Sequence, residues 1–142
     1  MKQPTRVRLM AEGWRPGGSR STLSAEQALR DAGYKAWPGL IRFLRGFVGL
    51  RVAIVRDARP DAFWFDPAAA AGLTTSTWVA EYCERAGQVL VPVGFAHHDH
   101  LLLLMGEDGT WYGAYDDVFG VLGSNDDEML DSLVAGSGFQ DG

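Results

Sequence analysis

The chain has 142 residues, with 46% hydrophobic and 22% charged residues and a formal net charge of −5. These values are ordinary for one globular domain and exclude a disordered or collagen-like chain. The single cysteine, Cys83, excludes an intramolecular disulfide, and no apolar run is long enough to span a bilayer. The first residues lack the apolar stretch of a secretory signal, so we expect a cytoplasmic protein.

The net charge conceals a strong asymmetry along the chain. Residues 1–59 hold twelve Lys or Arg and four acids, a net charge of +8, whereas residues 60–142 hold Arg85 against fourteen acids, a net charge of −13. Charged faces are usually just solvated. An acidic patch of this kind would also favour encounter with a basic partner.

The first half of the chain predicts a loop followed by two helices. Residues 1–22 are rich in Gly, Arg and Pro, which is typical of a loop-rich entry. A helix is predicted from Ser24, because Ser24 and Gln27 have the spacing of a capping box. A second helix is predicted from Pro38, which suits a first helical turn, to Gly49.

The middle of the chain predicts a strand pair and a third helix. Residues 51–55 and 62–65 are rich in Val, Ile, Phe and Trp, which indicates a β-hairpin. We expect Asp66-Pro67 to end the second strand. Residues 76–86 have apolar side chains at helical spacing, and Gly87 is expected to end that helix.

Three further strands are predicted, over residues 89–95, 101–105 and 110–115. Pro92 indicates an edge or a bulge in the first of them. The second is continuously apolar, which favours a central strand covered on both faces. The turn at residues 106–109 would join the second and third strands as a hairpin.

A last helix is predicted after Ser124, with Ser124 and Asp127 as its cap, and residues 137–142 are expected to be a frayed tail. The whole order indicates an α+β fold. We therefore predict a single domain over residues 1–142, with a mostly antiparallel sheet of about five to six strands flanked by about four helices. The aromatic rings of Trp14 and Phe47 are expected to be buried anchors of this domain.

Five segments of the chain occur in an order and spacing that resemble one known family. They are Glu12-Gly13-Trp14 with Gly18 and Arg20, Phe47-Val48-Gly49-Leu50, Phe65-Asp66-Pro67, Leu90-Val91-Pro92-Val93-Gly94, and Asp108-Gly109-Thr110-Trp111-Tyr112 with Leu122-Gly123-Ser124. They resemble the third subfamily of the SUKH superfamily, which contains immunity proteins of bacterial toxin systems. The resemblance implies a protein that binds and neutralises a cognate toxin, a nuclease or nucleic-acid deaminase, and that is not an enzyme and needs no cofactor.

The chain departs from that family in two places. It has Val48-Gly49-Leu50 where the family usually has Gly-Gly-Leu, which we interpret as a packing variation. It also has His97-His98-Asp99-His100 where the family usually has a polar loop, and the resemblance offers no role for these histidines. A regulatory scaffold remains an alternative function, because the superfamily also has members that are not immunity proteins.

The sequence offers the histidine cluster as a candidate zinc site, and Asp116-Asp117 and Asp126-Asp127-Glu128 as candidates for Mg²⁺ binding or acid–base chemistry. The acids at residues 126–128 are better explained by the dipole of the last helix, and those at 116–117 by an exposed contact or a solvated loop. His98 and His100 share one side of an extended segment and supply two ligands, with Asp99 or a distant acid needed to complete a site, whereas zinc normally takes three or four. We therefore predict no bound metal. The alternative is a metal-dependent hydrolase that uses His97, His98 and His100 with Asp116 or Asp117. The sequence has no phosphate-binding Gly loop, nucleophile elbow or dinucleotide fingerprint, and no nucleic-acid-binding motif, so direct nucleic-acid binding is not expected.

The partner is expected to contact the acidic half of the chain near its last hairpin. The predicted contact residues are Asp99, Glu107, Trp111, Tyr115, Asp116 and Asp117. Aromatic residues are enriched in interfaces, and acids at the rim would speed encounter with a basic toxin. Strand alternation also allows Trp111 and Tyr115 to lie in the core instead. The sequence leaves the oligomeric state open between a monomer and a homodimer.

Overall fold

The computed structural model describes residues 1–98 and 100–136, together with the backbone of residues 140–141. Six helices occur in this part of the chain: α1 (Gln3–Ala11), α2 (Leu23–Asp31), α3 (Pro38–Phe47), α4 (Pro67–Gly72), α5 (Ser76–Ala86) and α6 (Asp126–Ala135). The strands are β1 (Arg51–Arg56), β2 (Arg59–Trp64), β3 (Leu90–Ala96), β4 (Leu101–Gly106), β5 (Trp111–Tyr115), β6 (Val118–Gly123) and β7 (Gln140–Asp141). The strands form one antiparallel meander in chain order, which confirms the predicted α+β fold and single domain.

The two central strands determine how the helices are arranged. Every residue of β3 and β4 is buried, so both faces of the sheet must be covered by other elements. On the first face, Leu9 of α1, Leu29 of α2, Leu44 of α3 and Leu130 of α6 join one core. On the second face, α4 and α5 cover a smaller core around Tyr82, against which Tyr34 also packs. The second face is therefore covered by two helices of 6 and 11 residues.

The β1–β2 hairpin joins the rest of the sheet through a short ladder. Only Phe63 with Ala96 and Trp64 with Phe95 pair between β2 and β3. The two backbones lie so close together here that a side chain at Gly94 would collide with the carbonyl oxygen of Trp64. The register between β3 and β4 shifts between Pro92 and Gly94, which confirms the bulge predicted from Pro92.

Two of the predicted helix caps are displaced by one or two residues. The N-cap of α2 is Thr22, whose hydroxyl donates to Glu26 at 2.6 Å, so the capping box predicted at Ser24 is wrong. The N-cap of α6 is Asn125, whose side-chain oxygen accepts from the backbone N–H of Glu128 at 2.9 Å, and not Ser124. The predicted start of α5 and its end at Gly87, which has a φ of 73°, are both confirmed.

Besides β7, three elements were not predicted. Residues 3–11 of the expected loop form α1, because Thr5 and Leu9 pack into the core and Asp131 accepts hydrogen bonds from the start of the helix. The Asp66-Pro67 pair ends β2 and also begins α4, since the Asp66 carboxylate accepts from the N–H of Ala69 at 3.1 Å and Pro suits a first helical turn. Strand β6 pairs with β5 over its whole length.

No helix in the described part of the chain is long and apolar enough to cross a membrane. The predicted frayed tail, residues 137–142, lies outside the described residues apart from the backbone of β7.

The predicted aromatic anchors lie at the first-face core. Trp14 is 9% exposed, as predicted, whereas Phe47 is only partly buried. Their rings stack with centroids 5.9 Å apart, and Phe47 in turn stacks on Phe43 at 4.7 Å. This stack fixes the segment that follows α1 against α3.

We expect Trp14→Ala to lower the free energy of unfolding by about 3–5 kcal/mol, because it removes a large buried ring and leaves a cavity. Trp78→Ala is the matched control, since Trp78 is 45% exposed and its loss should cost less than about 1 kcal/mol. Urea unfolding followed by circular dichroism measures both. Equal stability of Trp14→Ala and the wild type would show that Trp14 does not anchor this segment.

Candidate functional site

A groove of 340 Å³ lies on the second face of the sheet, where the helical cover ends. One wall is the end of α4 and the start of α5, with Leu73, Thr75 and Trp78. The opposite wall contains His100 and the turn between β5 and β6. Large apolar side chains are exposed on both sides of the opening, since Trp78 is 45% and Tyr115 44% exposed. The groove is therefore an open cleft with aromatic side chains at its rim.

The floor of the groove is a row of residues that are in register across the sheet. Phe95 of β3 is opposite Leu102 of β4, which is opposite Ala114 of β5, which in turn is opposite Phe119 of β6. Ala114 has a small side chain and is part of the groove lining. The depth of the groove at this point follows from an alanine that lies between two larger residues.

The helix that forms one wall is firmly placed. Thr75 caps α5, and its hydroxyl oxygen accepts from the N–H of Trp78 at 3.2 Å. Tyr82 lies one turn further along and is almost fully buried, with its ring stacked on Phe119 at a centroid distance of 5.5 Å. The rings of Trp78 and Tyr82 are 6.3 Å apart and tilted by 44°. The cap fixes the first turn of α5, and the contact with the Tyr82 ring positions the exposed indole of Trp78 beside the groove.

The opposite wall is the acidic turn, which we define as Asp116 and Asp117 between β5 and β6. The Tyr82 hydroxyl donates to the backbone carbonyl oxygen of Asp116 at 2.5 Å, and Arg85 donates to that of Asp117 at 2.7 Å. Asp116 has a φ of 49°, a left-handed conformation that Asp tolerates better than most residues. Both bonds use backbone atoms, so α5 fixes the turn while both carboxylates remain exposed.

The electrostatics of this wall are dominated by carboxylates. Burial raises the pKa of the Tyr82 hydroxyl, and the charges of Asp116, Glu81 and Asp117 raise it further, whereas Arg85 alone lowers it. The hydroxyl therefore stays protonated and keeps donating to the turn at neutral pH. Three carboxylates and one guanidinium group act on this hydroxyl, so the net charge around it is negative.

Many of the other acids in the second half of the chain have structural partners. The Met1 ammonium group lies 3.1 Å from Asp127, and Thr5 donates to Asp131 at 2.6 Å. Burial raises the pKa of Asp126, although the indole N–H of Trp111 donates to its carboxylate at 2.8 Å. Asp108 accepts from the side chain of Gln88 at 2.9 Å. In contrast, no described residue forms a hydrogen bond or ion pair with the carboxylates of the acidic turn.

The structure brings together three of the six predicted contact residues. Tyr115, Asp116 and Asp117 are adjacent and exposed. Glu107 is exposed but lies at the opposite end of β5, in the turn after β4. Asp99 lies outside the described residues.

The prediction for Trp111 requires a correction. Trp111 is 0% exposed, and its ring packs against Phe43 and Phe65 in the first-face core, with centroids at 4.7 and 6.2 Å. Strand alternation directs this residue inward. We therefore remove it from the candidate contact surface.

The structure gives His97 a structural partner. Its Nδ1 lies 2.9 Å from Oδ2 of Asp61, and Arg56 Nε donates to the same oxygen at 2.8 Å. The side chain of Asp61 is 2% exposed, and its other oxygen accepts from the backbone N–H of Ala62 at 2.7 Å and of His98 at 3.3 Å. One buried carboxylate thus joins the β1–β2 hairpin to the loop after β3.

Burial by itself would raise the pKa of Asp61, but the hydrogen bonds from Arg56, His97 and Ala62 outweigh it and hold the pKa well below its usual value. The ionised form therefore stabilises the fold at neutral pH. This contribution is complete above the unfolded pKa of about 4 and is lost as the pH falls below it.

We expect Asp61→Asn to lower the free energy of unfolding by about 2–3 kcal/mol at pH 7, because it removes the charge that pairs with Arg56. The difference from the wild type should shrink between pH 5 and about pH 3. Asp57→Asn is the matched control, since Asp57 is exposed in the same hairpin. Urea unfolding at several pH values measures this, and a pH-independent difference would contradict the role given to the carboxylate.

The described residues bring no three His, Cys, Asp or Glu side chains into a position that could hold a metal ion. His97 pairs with Asp61, whereas His100 lines the groove together with Asp116. Asp99, which the metal alternative also used, lies outside the described residues.

We expect untagged protein to contain far less than one zinc ion per chain, because His98 and His100 have no third ligand beside them among the described residues. Elemental analysis after purification without chelators measures the content. One zinc per chain, with loss of thermal stability on chelation that His98→Ala abolishes, would contradict this expectation.

The sequence analysis missed the wall of the groove that α4 and α5 form. Leu73 ends α4, a helix that was not predicted, although Asp66-Pro67 followed by four alanines carries the signal for one. Trp78 is one of the apolar side chains at helical spacing in residues 76–86, which predicts burial, but the buried residues of that helix are Val79 and Tyr82. The spacing from residue 79 to 82 leaves Trp78 at the edge of the stripe.

Nearly the whole chain matches one known protein family. Residues 1–136 match the family described as SUKH-3 immunity protein. A search of curated proteins and a search of solved structures found no match. The family match covers both walls of the groove and all elements from α1 to α6.

Proposed function

Because the chain belongs to the SUKH-3 immunity protein family, we propose that it neutralises its cognate bacterial toxin by binding it through the acidic turn and the adjoining groove. Membership of the family implies a toxin as partner. The observation that supports this site is the acidic turn itself, in which two exposed carboxylates are fixed by backbone hydrogen bonds from α5.

A fixed turn is favourable for binding because its conformation is ordered before the partner arrives. Ordering a flexible loop on association would reduce the affinity. The two bonds from Tyr82 and Arg85 involve backbone oxygens, so a partner can pair with the carboxylates without displacing them. Tyr115 adds an exposed aromatic side chain next to the turn, of the kind that is enriched in interfaces.

The proposed toxin is a nuclease or a nucleic-acid deaminase that acts in the cytoplasm. Such enzymes bind phosphate groups through basic clefts, so an acidic surface on this chain would compete with nucleic acid for the same residues. The chain then acts by occupying a surface and needs no reaction, cofactor or membrane contact of its own. The regulatory-scaffold alternative predicts binding to a protein that is not a toxin.

We expect the double substitution Asp116→Lys/Asp117→Lys to weaken toxin binding at least tenfold, mainly through a slower association rate, because it replaces attraction of a basic surface by repulsion. In the wild type the association rate should fall as salt rises from about 50 to 300 mM. The partner is first identified by co-purification from the source cells. Surface plasmon resonance with the purified toxin domain then measures the rates.

The matched control is Asp31→Lys/Asp57→Lys, which changes the net charge by the same amount on the other half of the chain. Asp57 also has a positive φ of 53°, close to the 49° of Asp116, so the two doubles impose a similar backbone cost. Circular dichroism checks the folding of both. If the folded Asp116→Lys/Asp117→Lys variant binds and protects as well as the control, the acidic turn is not the contact surface.

A further inference from the structure

We propose that the groove is an anchor site for a single arginine side chain of the partner, held between the indole of Trp78 and the acidic turn. This inference rests on the proposed function, because it takes the toxin to be the protein that supplies the arginine. It adds the chemical group that the groove recognises.

The size of the groove fits a side chain better than a free metabolite. Its 340 Å³ lies at the low end of the roughly 300–1,000 Å³ of pockets that enclose whole small molecules. The floor is apolar, formed by Phe95, Leu102 and Ala114. An arginine has an apolar stem that can cover such a floor while its charged head stays at the rim.

The rim of the groove provides what a guanidinium group binds. Trp78 exposes nearly half of its surface, its backbone N–H is bonded to the Thr75 cap, and its indole contacts the ring of Tyr82. A cation over an indole face is attracted by the ring, and the planar guanidinium also stacks on it. The carboxylate of Asp116, on the opposite wall, can accept two parallel hydrogen bonds from the same group.

The surrounding charges favour a cation over a neutral or acidic group. Glu81, Asp116 and Asp117 all act on the Tyr82 hydroxyl at the groove, against Arg85 alone. Arg85 is itself occupied, because it donates to the carbonyl oxygen of Asp117 and lies over the ring of Phe119 at 5.2 Å. Arg85 therefore supports the wall and leaves the carboxylates of the acidic turn for the partner.

The test uses two small probes with the intact chain. N-acetyl-arginine methylamide carries the proposed group, and N-acetyl-citrulline methylamide has nearly the same shape without the charge. In ¹H–¹⁵N spectra the arginine probe should shift the indole N–H of Trp78 in a saturable way, with a dissociation constant on the order of millimolar, which is about −4 kcal/mol. The citrulline probe should leave that signal unchanged at the same concentration.

Variants of Trp78 test whether the group that binds the arginine probe also binds the toxin. Trp78→Ala should remove the response to the arginine probe and weaken toxin binding about tenfold, within the range of a desolvated cation–aromatic contact. Trp78→Phe should retain most of both, because an aromatic face remains. Trp37→Ala is the control for losing a partly buried Trp on the other side of the sheet, and it should affect neither measurement.

The outcomes separate this inference from the proposed function. If citrulline shifts the Trp78 signal as much as arginine does, the groove does not recognise the cation and the inference is wrong. If the toxin binds folded Trp78→Ala as tightly as the wild type, the groove is not the anchor, while the proposed function stands. If the wild type does not bind the toxin at all, the proposed function fails, and the titration alone decides whether the groove binds a guanidinium group.

Discussion

The structure depends on a strand that is apolar on both sides. The Leu101–Met105 segment of β4 has every side chain buried, so neither face of the sheet can be left in water. On the first face four helices supply the cover. On the second face α4 and α5 cover only part of the sheet, and the groove lies where this shorter layer ends. The groove therefore exists because both faces of the sheet must be covered, and the helical layer on the second face is smaller than the layer on the first.

The same division explains what the charge asymmetry of the sequence means. Asp126, Asp127 and Asp131 lie on α6 and bind Trp111, the N-terminal ammonium group and Thr5, so much of the acidic excess holds the first layer together. Asp61 similarly binds Arg56 across the β1–β2 hairpin. Only some of the acids in the second half of the chain have no partner within the described residues and can contact another protein, and the two acids of the acidic turn are among them. Sequence counts give the total charge but not this partition.

The sequence predicted the elements whose signals are local. Helix α5 and the buried strand β4 were found because capping residues, glycines and apolar runs act over a few neighbours. Helix α1 was missed because it depends on contacts of Thr5 and Lys2 with Asp131, more than 120 residues away. Strand β6 was missed because Val118–Gly123 contains two glycines, and its pairing with β5 decides its conformation.

The candidate site was only half predictable for a related reason. Trp111 and Trp78 are the same residue type, and each lies in a pattern that allows either a buried or an exposed position. Which face of β5 meets the larger layer is decided by α3, whose Phe43 contacts Trp111. The spacing of the apolar residues along a strand or helix indicates that one of its faces is buried, but it does not indicate which face. The acidic turn was found because two adjacent acids that follow a predicted strand satisfy no helix dipole and no cap.

The two parts of the site have different physical consequences for a partner. Exposed carboxylates act at a distance of up to about 8 Å in physiological salt, so they affect the rate of encounter. The groove acts only on contact, because its aromatic wall and apolar floor are effective after water has left, and such contacts affect mainly the lifetime of the complex. Tyr82 couples the two, since one side chain stacks under the wall and holds the turn through its hydroxyl. Loss of that hydroxyl would leave the charges in place but remove one of the two bonds that hold the turn, so association would be slowed less than dissociation would be accelerated.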